Sequence, residues 1–134
     1  MLIFAFALAQ SIPTPRPFTA DEMRDVRCVA YMGIRADQQR RGASGYGPLP
    51  DVQADGRRWA GLVGTRIMDA SGQPREAVAF AMTESAKALQ ERVFRLNNPL
   101  PQIEQLTAEC LPLMQAQLAA SAGDVPLPKP VKAQ

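Results

Sequence analysis

A chain of 134 residues that is 46% apolar and 21% charged has the proportions of one globular domain. Its net charge of +2 sets up no strong field for nucleic acid, and the absence of histidine removes the commonest general base and metal ligand. Two cysteines without a histidine cannot complete a four-ligand zinc site, so most small enzymes and metal modules are disfavoured at once.

The first nine residues, MLIFAFALA, carry no charge. They are too few to cross a bilayer, which takes about 20. They match the apolar segment of a secretory signal, and Ala7-Leu8-Ala9 supplies a small-x-small cleavage pattern before Gln10. No Lys or Arg precedes the run; a start upstream of Met1 would explain that, and a buried N-terminal strand or helix turn is the other reading. Residues 1–9 are therefore read as signal-like, which makes the protein periplasmic or secreted. Residues 10–18 follow as an extended lead-in, because Pro13, Pro15 and Pro17 each fix φ and lack a donor.

Residues 19–120 read as one all-α domain, a small four-helix bundle. The first helix starts at Thr19, which stands in the capping-box relation to Glu22. Met23, Val26, Ala30 and Ile34 recur at helical spacing, with Cys28, Tyr31 and Met32 widening the face. Arg40, Arg41 and Gly42 mark its end. After the loop GASGYGPLPD, a second helix is expected over about Val52–Met68, its stripe formed by Trp59, Leu62, Val63 and Ile67. Gly56, Gly61 and Gly64 weaken it. A third helix is expected over Arg75–Leu96 with Val78, Met82, Leu89, Val93 and Leu96 inward and Phe80 and Phe94 off the stripe. Asn97–Pro101 breaks the chain again. The fourth helix carries Ile103, Leu106, Cys110, Leu113 and Met114 through about Ala120, with Pro112 predicting a kink. Residues 121–134, rich in proline, read as a flexible tail.

Cys28 and Cys110 fall on the apolar faces of the first and last helices. An even pair in an exported chain favours a disulfide tying those helices together; two unpaired buried thiols are the alternative. No C-x-x-C is present to activate a thiol. Nucleophilic serine chemistry lacks both a histidine and a G-x-S-x-G, and the carboxylates Asp21, Glu22 and Asp25 are explained by the helix start. GASGYG is no phosphate cradle, since it follows a helix and lacks the lysine-serine ending. Catalytic residues, metal ligands and cofactors are thus not expected. The remaining candidate is a binding patch around the glycine-rich loop, made of Arg35, Arg40, Arg41, Tyr46, Arg57 and Arg58, with ordinary solvated surface as its alternative.

Cys28-Val29-Ala30-Tyr31, Gly64-Thr65-Arg66-Ile67 and Glu109-Cys110 resemble short blocks of small exported two-cysteine helical proteins of alphaproteobacteria. The arrangement extends over the predicted helices, whereas residue matches are confined to these blocks. The resemblance implies an exported helical protein and carries no catalytic residues. Acid-stress periplasmic chaperones share the plan as an analogy. The expected function is non-enzymatic binding of a protein or an anionic envelope component, in one version chaperone-like through opening of the second helix. The alternatives are a cytoplasmic accessory subunit that keeps residues 1–9, and a thiol-based redox protein using Cys28 or Cys110.

Overall fold

The computed structural model describes residues 14–122. The signal-like segment lies outside the described residues, as does the predicted tail from residue 123 onward; the tail's first two residues, Ser121 and Ala122, instead belong to the last helix. Four helices form: α1 (Ala20–Arg40), α2 (Gln53–Ser71), α3 (Arg75–Leu89) and α4 (Leu100–Ala122), with a π-helical turn over Gln90–Phe94 continuing α3. No strand occurs among the described residues.

Local chemistry sets most of the boundaries. The Thr19 hydroxyl accepts from the Glu22 N–H at 3.1 Å, and the Glu22 carboxylate accepts from the Thr19 N–H at 2.9 Å. Arg16 in the lead-in then grips both oxygens of Glu22, at 2.7 and 3.1 Å. This fork holds the Glu22 carboxyl at about 2, against 4.5 ordinarily. A carboxyl depressed in the folded state stabilises the fold fully above its unfolded value and loses that contribution as pH falls from 4.5 towards 2. After allowance for solvent screening the contribution is about 1 kcal/mol. Urea denaturation should therefore show the wild-type chain losing about 1 kcal/mol more than Glu22→Gln across that acid range. Parallel losses in the two proteins would contradict the clip.

α2 runs three residues past its expected end at Met68. The Ser71 hydroxyl turns back onto the Ile67 carbonyl at 2.6 Å, and Gly72 closes the helix at φ +70°, donating to the Met68 carbonyl. The third helix departs further from expectation, becoming π-helical after Leu89. In that wider turn both Val93 and Phe94 meet the bundle: Val93 is buried and Phe94 stacks on Tyr31 at 6.2 Å. Leu96, expected inward, is 40% exposed because the helix has already ended. Phe80 stays exposed. α4 begins at Leu100 and runs through Pro112. Pro112 supplies no N–H to the Ala108 carbonyl, and both residues are exposed.

α1 is the centre of the bundle. It packs on α2, α3 and α4, and α2 touches both α3 and α4, whereas α3 and α4 meet only through the π turn. Cys28 opposite Cys110 and Tyr31 opposite Ile103 make α1 and α4 antiparallel. The core is filled by Val26, Tyr31 and Met32 of α1, Trp59, Val63 and Ile67 of α2, and Ile103 and Met114 of α4, all essentially inaccessible.

A polar clamp locks three helices together near one end. Asp25 on α1 accepts from Arg66 on α2 at 3.0 Å and from the Gln117 amide on α4 at 3.3 Å. The Gln117 carbonyl oxygen accepts in turn from the Trp59 indole at 2.8 Å and from Arg66 at 2.8 Å.

Candidate functional site

Cys28 and Cys110 form a disulfide between α1 and α4, with Cα atoms 5.1 Å apart. Both residues are fully buried. The Arg27–Glu109 ion pair lies alongside, one residue from each cysteine. Sulfur chemistry at this position requires the bundle to open, because no reagent reaches either atom in the folded chain.

Of the arginines singled out around the glycine-rich loop, Arg40, Arg41, Arg57 and Arg58 are exposed and Arg35 is not. Arg35 points inward and is 4% exposed. Its guanidinium donates to the Tyr31 hydroxyl at 3.0 Å and to the Gly47 carbonyl at 2.8 Å, fastening the loop to α1. Tyr46 is half-buried, its ring edge-on to Phe94 at 6.0 Å. Arg40 and Arg41 are exposed but both engage Asp37, Arg41 at 2.9 Å. The hydrogen bond from Arg40, reinforced by Arg41, holds the Asp37 carboxyl below the usual carboxylate range. Arg57 and Arg58 are exposed in the first turns of α2. The signal for Arg35 was its spacing: it lies four residues after Tyr31 and seven after Cys28, on the buried stripe.

A larger concave surface lies elsewhere. Because α3 and α4 diverge from the π turn, they leave α1 uncovered between them, and a groove of about 820 Å³ runs there. Ala20 and Met23 of α1, Leu89 and Val93 of α3 and its π turn, and Leu106 of α4 supply apolar walls. Met23 is 40% exposed in it. Arg24, Arg27 and Arg92 stand on its rim against the single carboxylate of Glu109. Arg24 is tied to Asp25 at 3.1 Å and Arg27 to Glu109, while Arg92 makes no ion pair among the described residues. Sequence reading missed this groove, since it depends on which helices fail to touch.

Among the described residues no group of three His, Cys, Asp or Glu side chains is placed to hold a metal ion, and no helix is long and apolar enough to cross a membrane. Fold and site together define an all-α, disulfide-stapled four-helix protein with an open groove. No family model matches the chain, and neither a curated protein nor a solved structure matches it.

Proposed function

We propose that this is a non-enzymatic protein of the periplasm or exterior that works by holding an acidic amphipathic helix of another protein between α3 and α4. The groove carries the proposal. It is bounded by two helices and floored by a third, so a partner helix would complete the packing with its apolar residues against Met23, Leu89 and Leu106. Arg92, which makes no ion pair among the described residues, makes an acidic residue on that helix complementary. An oxidising compartment is supported by the disulfide, by the signal-like residues 1–9 and by the resemblance to exported two-cysteine helical proteins.

The other readings require rearrangement. A thiol-based redox role needs the buried sulfurs exposed. A chaperone-like opening of α2 would have to undo the Trp59–Gln117 and Arg66–Asp25 bonds. A cytoplasmic accessory subunit keeps residues 1–9 and reduced cysteines, so the intact mass of the native protein separates it from an exported one.

A photoactivatable amino acid replacing Met23 in the full oxidised chain tests the groove, with the exposed Phe80 position, which does not line it, as control. The expected result is an adduct mapping to a segment with apolar residues at helical spacing and an acidic opposite face. Arg92→Glu should lower its yield by roughly tenfold, since a rim attraction becomes a repulsion. No adduct from Met23, or the same adducts from Phe80, would overturn the proposal.

A further inference from the structure

A second, smaller cavity lies under the glycine-rich loop, and its groups are incompletely matched. Arg35 is 4% exposed, yet its guanidinium meets only neutral groups: the Tyr31 hydroxyl, the face of the Tyr31 ring 6.0 Å away, the Gly47 carbonyl and, at 3.5 Å, the Thr107 hydroxyl. No carboxylate among the described residues lies within ion-pair distance of it. The aspartates on either side in sequence are committed elsewhere, Asp37 to Arg40 and Arg41, Asp25 to Arg24 and Arg66, and Asp51 to the Gln53 N–H at 3.0 Å. A cation so buried is normally matched by an opposite charge.

One helical turn on, Gln38 is 5% exposed and its side-chain oxygen accepts no hydrogen bond. Such an acceptor costs the fold the desolvation of that oxygen unless something donates to it. Arg35 and Gln38 line the same cavity of about 260 Å³. The loop closes it with Gly45, Tyr46 and Gly47, whose backbone N–H groups find no backbone acceptor among the described residues.

We propose that this cavity binds a small hydroxy acid. The carboxylate supplies the missing counter-charge beside Arg35 and accepts from the loop N–H groups. The hydroxyl donates to Gln38, whose terminal amide torsion is soft enough to turn its oxygen toward the cavity. A hydroxyl suits the site better than an ammonium group, whose positive charge would sit next to Arg35. At about 30 Å³ per water-sized group the space holds roughly eight such groups, which limits the ligand to a short chain. The site is separate from the α3–α4 groove and shares no residue with it.

Amide resonances of the full oxidised chain, recorded at constant ionic strength, test this with lactate, acetate, glycine and glycerol. Lactate should give saturable shifts at Gly45, Tyr46 and Gly47. Acetate, which lacks the donor, should bind about tenfold more weakly, the worth of one hydrogen bond to a buried acceptor. Glycine should be weaker than lactate, and glycerol should give no saturable shift. Gln38→Leu removes an unmatched oxygen and should fold normally, while reducing lactate to the affinity of acetate. No saturable shift with lactate, or equal affinities for lactate and acetate in the wild-type chain, would overturn the proposal.

Discussion

Replacing Cys28 and Cys110 together by alanine should lower the free energy of unfolding by about 4–5 kcal/mol, the largest effect expected of any change to this chain. The disulfide spans 82 residues of sequence, so it removes a large closed-loop entropy from the unfolded chain. It does so between α1, which every other helix packs on, and α4, the last helix in chain order. Domains of this kind have net stabilities of about 5–15 kcal/mol, so the variant would sit near the edge of folding. Both cysteines are fully buried, and alanine leaves only small voids in their place. The loss should therefore come chiefly from the unfolded state, and the native helices should persist in the variant wherever it remains folded. Urea midpoints of the oxidised wild-type chain and the double variant measure the difference. A fall corresponding to less than about 1 kcal/mol would mean that the unfolded chain is already compact around these two positions.

Trp59→Ala should cost about 3–5 kcal/mol, because it empties the centre of α2 and removes one donor from the clamp that joins three helices. Trp59 is fully inaccessible, with Val63 and Ile67 completing the same stripe. Its indole N–H ends on the Gln117 oxygen, which Arg66 also supplies, so losing the indole alone does not leave that oxygen unpaired. Trp59→Phe should accordingly recover most of the loss and cost about 1 kcal/mol for the missing hydrogen bond, beyond any misfit of the smaller ring. The two substitutions, compared by urea denaturation, separate burial from hydrogen bonding. If phenylalanine costs as much as alanine, the clamp rather than the core holds α2 in place.

The sequence by itself determined the elements and their inward faces. Thr19 and Glu22 sit three apart at the start of α1, Gly72 permits a left-handed close to α2, and Pro99 and Pro101 flank the first residue of α4. These are local effects of backbone geometry and hydrogen bonding, readable wherever the residues occur together. The 3.6-residue period put Val26, Trp59, Val63, Ile103 and Met114 in the core, and the same period put both cysteines where they meet. It could not say which helix each face would meet. The uncovered strip of α1 between α3 and α4 exists because those two helices diverge after the π turn, an outcome of packing among all four. Polar side chains were harder to place for a related reason. An arginine on a helix is equally at home in water or beside a buried oxygen, and only the approach of Tyr31 and the Gly47 carbonyl decided for Arg35. Asp25, which its place in the sequence assigns to the helix start, is instead buried, and it meets Arg66 and Gln117 only because three helices bring them within hydrogen-bond reach. Apolar burial is non-directional and leaves a periodic trace in the sequence, whereas a polar contact is short-ranged and directional, and exists only once the tertiary structure has set both partners in place.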